Sequence, residues 1–484
     1  MTYGELKMKS TQVILAGFGA LWFLSAGAVR AQTPAEPAAA PEGQEEVSKS
    51  EASPADAPKS LEEKVEELDQ KIRVLDRKAE IDKEAEAEKA KTGAQATANA
   101  KDGFSLKSND GAFLLKLRGY VQLDGRFFSD DRARPATDTF ILRRVRPILE
   151  GTVFGKFDFR IMPDFGAGTT VLQDAYLDAR FTPFFKVRAG KFKVPVGLER
   201  LQSGSDILFV ERGFPTNLVP NRDLGIQVHG DLATGTVNYQ VGVFNGVPDG
   251  ASADVDSDSG KDVAARLFFQ PFVNGVSAAK NFGFGLAASS GSPSGTVSSP
   301  GLASYKTPGQ QTFFSYRTDG TAAGTTIAKG DRQRLSPQLS WYTGSFGVLA
   351  EWVSSKQEVA RGAAQAQVES TAWEVSASWV LGGTASYKGV SPKKVFDPAS
   401  KGWGALELKA RAGRQEIDDK AFPIFADPTK SASSAKEWGV GLNWILNRAV
   451  KVQLDYENTT FERGAVSGDR PDEKVLLSRF QVSF

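Results

Sequence analysis

Two stretches carry basic side chains at spacings that could handle a small anion. "FILRRVRPILEG" places Arg143, Arg144 and Arg146 almost side by side. On a strand, successive side chains point to opposite faces. Arg144 and Arg146 then share a face with Glu150, while Arg143 shares one with Val145 and Leu149. An arginine at a lipid midplane costs about 2–4 kcal/mol, so Arg143 requires either a place near a rim or a local bulge. The second stretch, "KVRAGKFKVPVGLERLQSGSDILFVERGFPTNLVPNRDLG", carries Lys186, Arg188, Lys191, Lys193, Arg200, Arg212 and Arg222. Within it, residues 194–223 hold apolar Leu208, Phe209, Val210 and Phe214, so this segment could fold inward and narrow a channel. Arginine offers a planar two-pronged donor to oxyanions, and lysine adds a compact charge. A ring of both at a constriction selects anions. Taken singly these bases could be solvated loop charges; as a cluster they favour a pore role.

Other chemistries are poorly supplied. The chain has 484 residues, no cysteine and one histidine, which excludes disulfides and thiolate metal sites and starves histidine-based triads. That histidine, His229, lies in "LGIQVHG". No GxSxG nucleophile turn occurs, since "GSPSG" at Gly291 has a central proline. No catalytic residue, metal, cofactor or nucleic-acid partner is expected.

The elements that must position the basic residues read as strands. From Phe104 onward, helical spacing gives way to period-2 segments of about ten residues. "FLLKLRGYVQLDGRF" sets Phe113, Leu115, Leu117, Val121 and Leu123 against Lys116, Arg118, Gln122, Asp124 and Arg126. "VLQDAYLDARF" does the same with Gln173 out of register, and "AVKVQLDYENTTF" and "FGVLAEWV" follow the pattern. Sixteen strands are expected, near 113–127, 139–151, 154–165, 170–181, 184–193, 224–231, 236–244, 262–270, 281–290, 335–343, 346–356, 369–381, 403–416, 436–446, 449–461 and 474–484. Short joints at 155–156, 182–184, 233–235, 343–345 and 447–449 each lead from an even strand to an odd one. The long segments 194–223, 245–261, 291–334, 417–435 and 462–473 lead from odd to even. Tight turns on one rim and long loops on the other are what a transmembrane barrel requires. "QTFFSY" (311–316) would break the alternation and is left inside its loop; the long 382–402 connection disobeys the rule. In a bilayer every backbone group must be paired, so the sheet must close. Sixteen strands enclose an aqueous channel. Trp341, Trp352, Trp373, Trp379, Trp403, Trp438 and Trp444 suit interfacial girdles. The last strand, "SRFQVSF", sets Phe480, Val482 and Phe484 toward lipid and Arg479, Gln481 and Ser483 toward water. Its aromatic end resembles the signal read by barrel-assembly machinery, with Ser478 interrupting the apolar series.

Ahead of the barrel the texture differs. Residues 1–31 have the layout of a secretory signal peptide: Lys7 and Lys9, the apolar run 13–28 and small residues toward Ala31. Residues 32–59, rich in Ala, Pro, Glu and Ser, read as a flexible linker. In residues 60–91, Ser60 and Glu63 form a capping box. There Leu61, Val65, Leu68, Ile72, Leu75 and Ala79 form a short heptad seam. Residues 92–112 read as a linker leading into the barrel of residues 113–484. The fold class is thus an all-β transmembrane barrel of sixteen antiparallel strands preceded by a short α-helical coiled coil.

The segments "RRVRPILEGTVFGKFDFRIMPDF", "LQDAYLDARF", "VRAGKFKVPVGLERLQSGSDILFVER", "NRDLGIQVHG", "LSPQLSWYTGSFGVLAEWV" and "SYKGVSPKKVFDP" resemble the phosphate-selective porin family of Gram-negative outer membranes, the O and P type. The resemblance implies a trimeric barrel in which an arginine ladder leads to a constriction. It implies that Arg143 and Arg144 are the family's double arginine, Asp174 its aspartate, and either Lys191 or Lys193 its lysine. Arg118 and Arg126 become outer-ladder candidates. It also implies phosphate or a related anion as cargo. Contact with outer-membrane lipid and lipopolysaccharide is expected of the barrel, and a periplasmic place, holding protomers together, of the coiled coil, with a solvated single helix as the alternative. A general diffusion porin with weak charge preference, and an envelope tether, are the competing readings.

Overall fold

The computed structural model describes residues 60–99, 103–130, 135–275 and 278–484. The expected signal peptide and linker, residues 1–59, lie outside these. Sixteen strands form the wall: β1 (Leu114–Ser129), β2 (Thr139–Val153), β3 (Phe157–Asp164), β4 (Val171–Thr182), β5 (Phe185–Lys193), β6 (Arg222–Leu232), β7 (Val237–Phe244), β8 (Asp262–Phe269), β9 (Asn281–Gly291), β10 (Ile327–Thr343), β11 (Phe346–Arg361), β12 (Ala364–Leu381), β13 (Ala405–Ile417), β14 (Ala432–Ile445), β15 (Val450–Ala465) and β16 (Glu473–Ser483). Each pairs antiparallel with the next, and β16 returns to β1 from Lys474↔Ser129 to Ser483↔Tyr120. The barrel is therefore closed.

Side-chain placement is inverted relative to a soluble protein. On β12, Trp373, Val375, Trp379 and Leu381 are exposed, while Glu374, Ser376 and Ser378 are buried. A continuous exposed apolar surface of this extent is stable only against lipid. Phe480, Val482 and Phe484 join that outer surface; Arg479 and Gln481 are buried inside. The Phe484 backbone exchanges two 2.9 Å hydrogen bonds with Gly119, which pins the end of the closing strand. Six of the seven expected girdle tryptophans are exposed. Trp444 is half-buried, and its Nε1 donates to Trp403 O at 2.8 Å.

Several joints differ from expectation. β10, β11 and β12 are 17, 16 and 18 residues long, well beyond the roughly 9–11 that cross a bilayer. β11 and β12 therefore meet in a two-residue turn, Gly362–Ala363, on the long-loop side, in place of a longer connection. Residues 311–316 do stay within a loop: Thr312–Phe314 pairs only with Tyr305–Lys306. Residues 92–112 are not a bare linker. Ala94–Asn99 and Gly103–Ser108 form a hairpin whose second strand pairs with Leu114–Leu117 of β1, covering the part of β1 that β16 does not reach.

The helix spans Leu61–Thr92. Its capping box forms as expected: Ser60 N donates to Glu63 Oε2 at 3.0 Å and Glu63 N to Ser60 Oγ at 3.2 Å. Leu61, Val65, Leu68, Ile72 and Leu75 are all more than half exposed along it. A helix is present; a coiled coil needs a second helix against this stripe.

Candidate anion-conducting constriction

The site is built from two bulges in the wall and one loop that crosses the lumen. On β2, Gln122 faces Arg144 but Leu123 faces Leu142, so Arg143 is an extra residue. The bulge breaks the alternation and lets Arg143 turn inward with Arg144, which answers the question its spacing raised. The β3–β4 connection clamps the bulge: Phe165 N donates to Val145 O at 3.0 Å and Ala167 N to Leu142 O at 2.7 Å. Gly166 sits so close that a Cβ there would lie 2.7 Å from Arg143 O and 2.8 Å from Arg144 Cα. A second bulge falls at Gln173, the residue that is out of register in the sequence, between the pairs Met162↔Asp174 and Pro163↔Leu172. It delivers Asp174 to the lumen, where Arg222 Nε donates to it at 2.7 Å and Arg160 pairs at 3.3 Å.

Residues 194–221, between β5 and β6, enter the lumen as their apolar content suggested. Ile207, Phe209, Val210, Phe214, Leu218 and Val219 are all buried. The far wall holds the loop backbone. Leu198 N and Glu199 N donate to the Glu351 carboxylate at 2.7 and 3.2 Å, and Val210 N donates to Asp455 at 2.7 Å. Leu208 O accepts from Lys409, Asn443 and Gln453. On the near wall, Gln122 Nε2 donates to Gly204 O at 2.8 Å. The 382–402 connection braces the loop from the short-turn side: Tyr387 OH donates to Leu198 O at 2.6 Å, and Gln202 Nε2 to Tyr387 O at 2.8 Å. This gives the one long connection on the short-turn rim a physical role. Phe214 stacks edge-on against Phe313 at 5.7 Å, and residues 302–310 of the 292–326 loop line the space beside Arg143 and Arg222.

Two cavities flank the inserted loop. The one toward the short turns is about 500 Å³ and is lined by Arg118, Gln202, Tyr387 and Lys451 among others. The one toward the long loops is about 540 Å³ and is lined by Arg143, Arg144, Arg146, Lys193, Arg200, Arg212 and Arg222. Their counter-charges are unevenly shared. Arg146 pairs with Asp164 at 2.7 Å. Arg143, Arg144 and Arg126 all converge on Glu211. Lys193, Arg200 and Arg212 form no ion pair with a carboxylate among the described residues. Lys193 Nζ donates to Leu201 O and Gln202 O at 3.2 and 2.6 Å, Arg212 donates to Glu199 O and Gln202 O at 3.2 and 2.7 Å, and Arg200 donates to Thr216 O. Arg200 Nε is buried without a partner. Burial, then repulsion by Arg212 and Arg222, pushes the Arg200 guanidinium down to about 9, so it remains a cation at neutral pH. Cations that have no carboxylate partner around a cavity are what an oxyanion needs.

The remaining candidates stand apart. Lys191 pairs with Asp254 at 2.5 Å. Arg188 stacks on Tyr176 at 4.3 Å and pairs with Asp178, which also contacts His229 at 3.1 Å. Arg118 pairs with Glu150 at 3.0 Å beside the cavity toward the short turns. Sequence reasoning missed Glu211, whose one signal was an acid between apolar Val210 and basic Arg212. It also missed Glu351, Asp455 and Tyr387, whose partners lie far away in sequence.

A family model for phosphate-selective porins O and P matches residues 115–484. Porin O of Pseudomonas aeruginosa is 23% identical over 414 residues, spanning 81% of this chain and 93% of that one. Among solved structures, the outer membrane channel DcaP of Acinetobacter baumannii superposes with a TM-score of 0.50 at 14% identity, covering 78% of this chain and 99% of that chain. The anion-selective porin from Comamonas acidovorans superposes at 0.48 with 11% identity, covering 77% and 100%. The chain belongs to the phosphate-selective porin O and P family and is an anion-selective channel of the outer membrane.

Proposed function

We propose that the channel passes phosphate or a related oxyanion by passive diffusion, and that the ion is held against Lys193, Arg200 and Arg212 on the long-loop face of the inserted loop. The observation that carries this reading is that these three half-buried cations meet only backbone carbonyls among the described residues. Arg143, Arg144, Arg146 and Arg222 contribute field from the same cavity, while Asp174 holds Arg222 in place. Lys193, in that cavity, takes the family lysine's role in preference to Lys191. The test is a planar-bilayer recording in chloride with phosphate added. Concentration-dependent block of the chloride current is expected; no block, with reversal potentials showing no anion preference, would leave a general diffusion porin.

The protomer is proposed to act as a homotrimer after removal of residues 1–31, with the helix Leu61–Thr92 in the periplasm. Its exposed Leu61–Val65–Leu68–Ile72–Leu75 stripe supports association with the same helix of sister copies. Deleting residues 60–92 should loosen the trimer on native gels and leave single-channel conductance unchanged; a trimer of undiminished stability would refute this role.

A further inference from the structure

The inserted loop brings one carboxylate into the arginine wall in the geometry of a bound ligand. Glu211 is 2% exposed. Its Oε1 accepts from Arg143 Nε and from Arg126 NH2, the latter at 3.3 Å. Its Oε2 accepts from Arg143 NH2 at 3.2 Å and Arg144 NH2 at 3.5 Å. The Arg143 contact is the two-pronged form by which arginine recognises free carboxylates and phosphates. Both sides of the contact are anchored. Glu211 O accepts from Arg411 NH1 at 2.9 Å on the far wall, and Arg144 NH1 donates to Gln122 Oε1 at 2.7 Å on the near wall. Left empty, three converging guanidinium groups would bind a permeant anion firmly. Conduction requires a site that an ion leaves as readily as it enters.

We propose that Glu211 is a tethered carboxylate ligand that fills the Arg126–Arg143–Arg144 site, makes the anion well there shallow, and leaves Lys193, Arg200 and Arg212 as the place where the permeant ion binds. This rests on the channel being anion-selective, but not on phosphate being its cargo. Burial alone would raise the Glu211 carboxyl, but Arg143 and Arg144 outweigh it and hold it well below the usual carboxylate range. The tethered ligand thus stays ionised. The double arginine that the sequence marks as the anion site therefore acts on a passing ion mainly through its field.

The test uses chloride and acetate as probes. E211Q keeps the shape and removes the charge. Its chloride current should saturate at roughly tenfold lower concentration than wild type, as expected for one uncompensated cation near the path. Acetate, a free carboxylate, should block E211A, which vacates the site, at concentrations that leave wild type open. E211D, which keeps the charge, should retain the wild-type saturation. Should E211Q not assemble as a heat-resistant trimer, R143Q and R143Q/E211Q carry the comparison, and the double variant must saturate at lower chloride than R143Q. Unchanged saturation and no acetate block in the carboxylate-free variants would overturn the proposal. Phosphate enters none of these arms, so wild type indifferent to phosphate would sink the cargo reading while leaving this one standing.

Discussion

Replacing Lys193 with glutamine tests the proposed binding site at its most specific point. The ammonium lies in the long-loop cavity, and its partners are Leu201 O and Gln202 O. A cation and an oxyanion 4 Å apart attract by about 4 kcal/mol at an effective dielectric of 20. Solvent exchange reduces a charged hydrogen bond to a net of about 1.5–3 kcal/mol. Glutamine keeps a donor for one carbonyl, so the loop should hold its path while the charge disappears. A loss of about 2 kcal/mol corresponds to roughly thirtyfold weaker binding. The assay is phosphate titration of the chloride current in planar bilayers, read as the half-blocking concentration. K191Q serves as the comparison, because Lys191 already pairs with Asp254 at 2.5 Å; its shift should stay within about twofold, as for a pair that interacts weakly with anything else. Equal shifts in the two variants, or none in K193Q, would refute the assignment.

Other consequences concern the frame around the site. Asp124 and Arg479 form a two-pronged pair, 2.7 Å at each contact and fully buried, across the β1–β16 seam. D124N strands a buried arginine and should cost about 3–5 kcal/mol, read as a lower temperature for the heat-induced gel shift of the barrel; an unchanged transition would show that the seam does not depend on this pair. G166V should displace the Arg143 bulge, because a Cβ would lie 2.7 Å from Arg143 O. The expected result is a folded barrel with altered chloride conductance, after a loss of about 1–3 kcal/mol from overpacking; wild-type conductance would refute the clamp. Arg200 is lowered to about 9, so its charge is present at neutral pH and is lost as pH rises through that value. The share of anion preference that Arg200 supplies should therefore be lost above about pH 9, so that the difference between wild type and R200M narrows there; a difference that stays constant from about pH 7 to about pH 10 would contradict this.

Much of the frame was legible because lipid forces a simple code. Period-2 alternation, joint parity and the aromatic last strand gave all sixteen wall strands and the closing pair. Even the bulges left traces: Gln173 out of register, and Arg143 on a face where a charge is costly. The extended β10–β12 were underestimated because they rise beyond the bilayer, where alternation no longer needs to be strict. The site was legible as a composition of charges but not as an assignment. Lys191 and Lys193 are two residues apart on one face; Asp254, on another loop, pairs with Lys191, while Lys193 meets Leu201 O and Gln202 O of the inserted loop. Glu211, Glu351 and Asp455 act across the lumen, through contacts set by barrel closure and not by local spacing. Tyr387 props the inserted loop from a connection that looked anomalous for the same reason: its purpose lies with a loop nearly two hundred residues earlier.

The most direct measurement is the reversal potential of the purified channel across a tenfold potassium chloride gradient, for wild type and for K193Q/R200Q/R212Q. Wild type should approach the chloride Nernst value, about 59 mV, and the triple variant should collapse toward zero with its barrel still heat-resistant. A wild-type value near zero or of cation sign, or a triple variant that keeps the wild-type value, would contradict anion selection by these three residues.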